Sequence, residues 1–354
     1  MTRPPSIPSE SHPLRLIPAG QPILAGVAAL ALLLTAGCSD NPADTPPPTI
    51  VPAEAAVSPP VTGDPDGQVR PVGGDAQSAL FDPATGTLAV LAPGPAGQST
   101  LTLLAGSEPA RTVLLPAAAS ALAGDPSGRL LLATRGGYFR VNIKDASVTD
   151  VGIEGSEDVD FTAIARRADG NLVLGSADGA VYTLNSENTV GARLKIFARV
   201  DALVTQGDTA VVLDRGQTSV TTVDPTGTKA EHALRAGEGA TTMATDPAGR
   251  VLVADTRGDE LLVYGTDPLI LRQRYPVRAA PYGLAGSSNL AWVSQTATNT
   301  VIGYDLATGI PIEKVRYRTV QQPDSLAFDD QSGTLYVVSG SGAGVQVIPN
   351  AAKP

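Results

Sequence analysis

Short stretches of alternating apolar and polar residues recur along most of this chain, and each stretch follows a tight-turn signal. The unit is clearest at 80–90 (LFDPATGTLAV), 122–132 (LAGDPSGRLLL), 164–174 (IARRADGNLVL), 243–253 (MATDPAGRVLV) and 326–337 (LAFDDQSGTLYV). Within the tight turn of this unit, Asp caps the backbone, Pro fixes φ and Gly accepts a left-handed conformation. The alternation after the turn, as at Leu130 and Leu132, predicts a β-strand with one buried face.

The unit returns about every 40 residues. Weaker copies at 203–212 and 284–293 fill the gaps between the clear ones. The turn glycines lie 42, 42, 37, 42 and 84 residues apart, at Gly86, Gly128, Gly170, Gly207, Gly249 and Gly333. The last interval spans two units, with Ser288 and Asn289 at the missing turn. Seven units of this length predict an all-β, seven-bladed β-propeller of four-stranded blades over residues 68–350, with a short tail at 351–354.

The seventh unit contains only three strand-like stretches, at 325–329, 334–339 and 344–349. Residues 68–72, just before the first unit, are placed to supply the missing outer strand. We therefore expect the ring to close by pairing strands from the two ends of the domain, which leaves no exposed sheet edge. Pro71 is compatible with an outermost strand, where its missing N–H is not needed.

Several units resemble the YVTN-type repeat of bacterial surface propellers, and the domain as a whole resembles a YVTN- or NHL-like propeller. The clearest unit reads AWVSQ at 291–295 and NTVIGYDLATG at 299–309, and a second reads LVADT at 252–256 and LLVY at 261–264. The resemblance covers residues 76–349. It implies the architecture and leaves the function open, because this repeat serves many roles.

The chain begins with a segment typical of secretion. Arg3 and Arg15 precede an apolar run that ends in Thr35-Ala36-Gly37-Cys38. These four residues resemble a bacterial lipobox, which implies a signal peptide over 1–37 and acylation of Cys38, for example with palmitate. The run from Pro22 to Gly37 is shorter than the roughly 20 residues that span a membrane. An uncleaved membrane helix and a plain secretory signal are the alternatives to a lipoprotein on the extracytoplasmic face of the cell membrane.

Residues 38–67 are rich in proline and lack any helical or strand period. Such a segment buries too little apolar surface to offset the entropy of ordering it. We therefore expect a mobile, rather extended tether between the lipidated cysteine and the propeller.

Charge limits the partners. After removal of residues 1–37, 23 basic residues stand against 34 acidic ones, because Arg3, Arg15 and Glu10 leave, and the net charge is −11. Such a charge balance argues against nucleic acid as a partner, because binding nucleic acid requires a basic protein surface. It also leaves membrane attachment to the acyl chains. The abundant Ala, Gly, Pro and Arg are typical of a high-GC bacterium, and we expect an actinobacterial-type lipoprotein that is a monomer.

Candidate chemistry is sparse. His232 is the one histidine after Cys38, and Cys38 is the one cysteine of the chain, so neither a disulfide nor a Cys–His pair can form in the mature protein. We interpret His232 as an outer-strand residue rather than a general base, and Arg257-Gly258-Asp259 as a turn rather than an adhesion tripeptide. The recurrent acids of the turns are interpreted as turn caps rather than calcium ligands: Asp82, Asp125, Asp246 and Asp329.

The loops that lead into the innermost strands carry further acids, and in propellers these loops surround the mouth of the central channel. The candidate ligand-binding residues are Asp75, Asp158 (with its neighbour Glu157), Asp160, Asp201, Glu238 and Asp324. They can solvate a loop face, form an acidic docking ring or hold a cation. Propeller lactonases and gluconolactonases, which resemble this architecture, hold a divalent metal with a Glu near the first inner strand. The matching stretch here, 76–80, has none.

These observations favour a lipid-anchored propeller that acts as a non-catalytic binding or scaffolding module, without a cofactor, for an envelope protein, a glycan or a small ligand. The alternative is a metal-dependent hydrolase of the lactonase kind. A purely structural envelope component is a third possibility.

Overall fold

The computed structural model describes residues 48–353, so the predicted signal peptide and Cys38 lie outside the described residues. Strand β1 (Gln68–Arg70) precedes the first blade. Blades 1 to 3 consist of β2 (Ser78–Asp82), β3 (Thr87–Pro93), β4 (Ser99–Ala105), β5 (Arg111–Leu114); β6 (Ala121–Gly124), β7 (Arg129–Thr134), β8 (Gly137–Asn142), β9 (Val148–Gly152); and β10 (Phe161–Arg166), β11 (Leu172–Ser176), β12 (Ala180–Leu184), β13 (Val190–Lys195).

Blades 4 to 6 consist of β14 (Ala202–Gln206), β15 (Thr209–Asp214), β16 (Ser219–Val223), β17 (Ala230–Arg235); β18 (Ala240–Thr245), β19 (Arg250–Asp255), β20 (Glu260–Thr266), β21 (Leu269–Pro276); and β22 (Pro281–Gly286), β23 (Ala291–Gln295), β24 (Thr300–Asp305), β25 (Ile312–Arg318). Blade 7 contains β26 (Pro323–Asp329), β27 (Thr334–Ser339) and β28 (Val345–Ile348). Two short 3-10 turns, Pro95–Gly97 and Thr296–Thr298, interrupt loops of blades 1 and 6. Among residues 48–353, no helix has the length and apolar character needed to span a membrane.

Each blade is a four-stranded antiparallel sheet, and the first strands of neighbouring blades contact one another around a closed ring. The predicted all-β, seven-bladed propeller is therefore confirmed. The first strand of each blade is innermost, and the fourth is outermost. The ring thus brings together loops that are about 40 residues apart in sequence.

The ring closes as the sequence predicted. Strand β1 is the outermost strand of blade 7 and pairs antiparallel with β28, with Arg70 opposite Val345. The Arg70 guanidinium also donates to the carbonyls of Gly106 and Glu108, both at 2.5 Å, in blade 1. Closure therefore covers the edge of β28 and links blade 7 to blade 1.

The apolar core lies between neighbouring blades. Leu101 of blade 1 and Phe139 of blade 2 are buried in one cluster, and the ring of Trp292 in blade 6 stacks on Phe328 of blade 7 at 5.4 Å between centroids. Each fully buried leucine or phenylalanine contributes about 1.5–3 kcal/mol. Because every blade buries its faces against two neighbours, the stability of the domain depends on ring closure.

The turn acids cap their own hairpins. Asp125 accepts hydrogen bonds from the Ser127 N–H at 2.7 Å and from Arg129 Nε at 2.6 Å, while Gly128 takes φ +74° at the end of the turn. Asp246 makes the equivalent bond to Arg250 Nε at 2.6 Å. Asp82 and Asp329 likewise accept backbone N–H groups of their own turns, so the interpretation of these four residues as turn caps is confirmed.

Candidate binding site on the mouth face

The mouth face is the side of the ring on which the first strand of each blade begins. Because strand direction alternates, the turns between second and third strands lie on this face as well. The six predicted acids and these turns are therefore neighbours on one surface.

A segment that we expected to be mobile lies on this face. Residues 49–59, called the strap below, have no regular secondary structure and bond to the propeller. The Ile50 N–H donates to the Gly216 carbonyl of blade 4 at 2.8 Å. In blade 5, Arg257 Nη2 donates to the Val51 carbonyl at 2.8 Å. The tether prediction is thus wrong for this part of the chain, because polar side chains of the propeller satisfy the backbone of a segment that cannot build a core itself.

The second half of the strap crosses blades 6 and 7. The Ala56 N–H donates to Thr296 Oγ1 at 3.2 Å, and Ser58 Oγ donates to the Thr296 carbonyl at 2.5 Å. Gln322 uses both ends of its amide, since Nε2 donates to the Ala56 carbonyl at 3.0 Å and Oε1 accepts the Ser58 N–H at 2.9 Å. Asn299 Nδ2 donates to the Pro59 carbonyl at 2.7 Å. Thr296 and Gln322 therefore each bond to both Ala56 and Ser58.

Two strap side chains point inward and two point outward. Ala53 is 7% exposed and Ser58 is 4% exposed, whereas Val51 and Val57 are 81% and 92% exposed. The apolar valines contribute little burial, so the strap is held mainly through its backbone. The propeller accordingly recognises the main chain and two small side chains.

Two of the predicted acids support this contact. Asp324, at the start of the innermost strand β26, accepts a hydrogen bond from Gln322 Nε2 at 2.8 Å. Burial raises the pKa of Asp324 to about 6, and the Gln322 bond opposes this effect. Asp201 accepts the Arg215 N–H at 2.7 Å and pairs with Arg199 at 3.2 Å, and burial raises its pKa. Arg215 in turn donates to the Ala53 carbonyl of the strap.

The other four predicted positions are exposed. The Asp158 side chain is 97% exposed and pairs with Arg135 at 2.9 Å, and Asp160 bridges to the same arginine through its backbone. Asp75 is exposed at the start of blade 1, and Glu238 offers only its carbonyl to Arg257, at 3.3 Å. Across residues 48–353, no three His, Cys, Asp or Glu side chains are arranged to hold a metal ion. The structure therefore distributes the six acids around the rim without bringing them together.

The other candidate residues occupy structural positions. His232 is exposed on β17, the outermost strand of blade 4, where its N–H donates to Thr222 Oγ1 at 3.2 Å. The Gly258 N–H donates to Asp255 at 3.0 Å, and Asp259 accepts the Ala280 N–H at 3.0 Å. The contact of His232 is that of an ordinary strand residue, and the contacts of Gly258 and Asp259 are those of a turn.

Sequence reasoning missed the uncharged residues of this surface: Thr296, Asn299, Gln321 and Gln322. It selected positions by charge, while the strap contacts depend on amides, a hydroxyl and two arginines. The available signal was positional, since Arg215, Arg257, Thr296 and Asn299 all lie in turns between second and third strands.

A sizeable cavity lies on the opposite face. It measures about 510 Å³ and is lined by the first hairpin turns of blades 1 to 4, including Phe81, Pro126 and Arg166. The cavity is therefore separate from the strap and from all six predicted acids.

The same fold occurs in proteins of varied function. Streptogramin B lyase superposes with a TM-score of 0.65 at 11% identity, covering 81% of this chain and 97% of that one. U3-55K superposes with a TM-score of 0.67 at 12% identity, covering 79% of this chain and 97% of that one. A chain of the Kuenenia stuttgartiensis hydrazine synthase superposes with a TM-score of 0.64 at 13% identity, covering 82% of this chain and 100% of that one. At such identities the likeness concerns the fold alone. No protein-family model and no curated protein matches the sequence.

Proposed function

We propose that this chain is a lipid-anchored β-propeller on the extracytoplasmic face of the cell membrane, where its mouth face acts as a non-catalytic binding module. The observation that carries the proposal is the strap. Side chains from four neighbouring blades direct their polar groups at a segment that belongs to no blade, as in the bonds of Arg257 to Val51 and of Gln322 to Ala56. A surface built in this way is suited to binding an extended chain rather than to activating a water molecule for hydrolysis.

The sequence supports the anchor. Thr35-Ala36-Gly37-Cys38 follows a short apolar run, and acylation of Cys38 would attach the mature chain to the bilayer. At about 3.6 Å per residue, the chain from Cys38 to Thr49 reaches at most about 40 Å. Docking of the strap would thus keep the propeller nearer the membrane than a free stalk of residues 38–67 would.

The hydrolase alternative requires a metal at the mouth. Asp201 and Asp324 are the two most buried candidates, and each already has protein partners, Arg199 and Arg215 for the first and Gln322 for the second. A metal would have to displace these partners. This competition favours the binding role.

The anchor is tested by fractionation and mass spectrometry of the full chain expressed in a bacterium that processes lipoproteins. The wild type should be recovered from membranes as an acylated species beginning at Cys38, and Cys38→Ala should be unprocessed or released. A Cys38→Ala protein of mature size that resists alkaline washing would contradict the anchor.

The binding role is tested on the same cells with a photo-crosslinking amino acid. One variant carries it at Asp158 on the mouth face, and its control carries it at Asp208 in a hairpin turn on the opposite face. A defined adduct from position 158 and none from 208 is expected. Adducts of equal yield from both faces, or from neither, would contradict a binding mouth.

A further inference from the structure

We infer that the surface beneath the strap is a groove for an extended peptide with small residues at two positions five apart, and that residues 49–59 are its resident ligand in cis. This inference rests on the proposed binding role and specifies the ligand class. The groove is formed by Arg215, Arg257, Thr296, Asn299, Gln321 and Gln322.

The groove binds backbone atoms. The carbonyl oxygens of Val51, Ala56, Ser58 and Pro59 accept hydrogen bonds from side chains of the rim, at 2.8, 3.0, 3.2 and 2.7 Å. No hydrogen bond joins two residues within the strap. These contacts would be available to any peptide in the same conformation, because they do not depend on the side chains at most positions.

Selectivity comes from the two inward positions. The Ala53 methyl lies over Gly239, where a Cβ on the glycine would approach Ala53 Cβ to 2.9 Å, so a large side chain at position 53 has no room. At the second position, Ser58 Oγ reaches the Thr296 carbonyl at 2.5 Å and is buried. Val57, between them, is exposed and imposes no restriction.

The groove is organised by the propeller itself. Thr296 Oγ1 donates to the Ala280 carbonyl at 3.1 Å, and Asn299 Oδ1 accepts the Gln322 N–H at 3.2 Å. Asp324 fixes the Gln322 amide from below, and Asp201 fixes the Arg215 backbone. These bonds do not involve the strap, so the groove keeps its shape when the strap leaves, which favours binding of a second peptide.

Access is controlled by competition. The strap is joined to the propeller through residues 60–67, so its effective concentration at the groove is in the millimolar range. A free peptide of equal intrinsic affinity must exceed this concentration to displace the strap. The intact chain should therefore exclude peptides that bind more weakly. Release of the strap should open the groove.

The test uses the full chain and a fluorescent peptide with the sequence of residues 49–60 (TIVPAEAAVSPP). Ala53→Trp should expel the strap by collision with Gly239, and Val57→Trp is the matched control because its side chain faces solvent. Hydrogen exchange of residues 49–59 verifies release in the first variant and retention in the second. Far-ultraviolet circular dichroism and melting verify the fold, with Ser58→Trp as a second releasing variant.

We expect saturable peptide binding to Ala53→Trp, with at least tenfold weaker binding to the wild type and to Val57→Trp. A peptide carrying Trp at the position of Ala53 should not bind, and adding Gln322→Ala to the releasing variant should weaken binding at least fivefold. Absence of binding to a folded variant with a released strap would overturn the inference. Equal binding to all three proteins would overturn it as well.

Sedimentation of the wild type at the assay concentration identifies the occupant. A monomer with a protected strap supports occupancy in cis, and a dimer that exchanges straps would replace the cis ligand by a second copy. The assay requires neither the lipid nor a cellular partner. Failure of Cys38 acylation or of cellular cross-linking therefore remains distinguishable from failure of peptide binding.

Discussion

The amide of Gln322 is shared between Asp324 and the strap: Nε2 lies 2.8 Å from Asp324 Oδ1 and 3.0 Å from the Ala56 carbonyl. The half-buried carboxyl group at the channel mouth is thus one bond away from a segment more than 260 residues distant in sequence. Protonation of Asp324 and docking of the strap therefore involve the same side chain.

Asp324 should make the stability of the domain fall as the pH rises. Its pKa is raised by burial to about 6 in the folded chain, from an ordinary value near 3.8. The folded state therefore binds the proton more tightly, and the resulting stability is complete below about pH 4 and is lost as the pH rises through 6. Relative to Asp324→Asn, the wild type should lose on the order of 1–2 kcal/mol between pH 4 and 7, since partial exposure weakens the effect. Urea unfolding across this range measures it, and parallel curves for both proteins would contradict it.

Gln322→Ala should loosen the strap while leaving the propeller folded. The variant loses the bonds to Ala56 and Ser58, and a hydrogen bond of this kind contributes about 0.5–1.5 kcal/mol. Hydrogen exchange should accelerate at residues 53–59 with little change in the blades. Gln331→Ala, in an exposed turn of blade 7, is the control and should leave exchange of the strap unchanged.

Deleting residues 66–74 should lower the melting temperature sharply and promote aggregation. The deletion removes β1, exposes the edge of β28 and removes Arg70 from its contacts with blade 1. A control replaces residues 60–65 with a Gly-Ser linker of equal length, which preserves β1. An unchanged melt after the deletion would contradict closure by β1, and a melt lowered equally by the linker would assign the loss to the strap connection.

Calcium or zinc should not stabilise the domain beyond ordinary salt screening, because the rim acids do not converge. A specific site would raise stability by about 2.7 kcal/mol at a hundredfold excess over Kd. Thermal melts with metal and with chelator measure the difference. Metal-specific stabilisation abolished by Asp160→Asn or Asp201→Asn would favour the hydrolase alternative.

The propeller and its closure were predictable because their signals are local and repeated. In six of the seven blades the first hairpin carries an Asp and a Gly, as at Asp125 and Gly128, and the period of about 40 residues fixes the number of blades. The missing fourth strand of blade 7 pointed directly to residues 68–72. The structure confirms this region as the source of the outer strand, with β1 ending at Arg70.

The strap was not predictable from its own residues. Its bonds use main-chain atoms, and composition carries no information about which external side chains will satisfy them. The decisive partners, such as Thr296 and Gln322, are about 240 to 270 positions away and become neighbours only when the ring closes. The search for charged residues at the mouth did find Asp201 and Asp324, but as candidate ligand-binding groups. In the structure they support the strap indirectly, Asp201 through Arg215 and Asp324 through Gln322.

The strap and β1 belong to one continuous stretch of chain, and this order has a mechanical consequence. A pulling force applied through residues before 48 would reach the bonds of Ile50 and Val51 first, and those of Pro59 later. These bonds would break one after another at low force and lengthen the chain, before any tension reaches the pairing of β1 with β28. The strap would thus act as an extensible element that protects ring closure from tension at the N-terminal side.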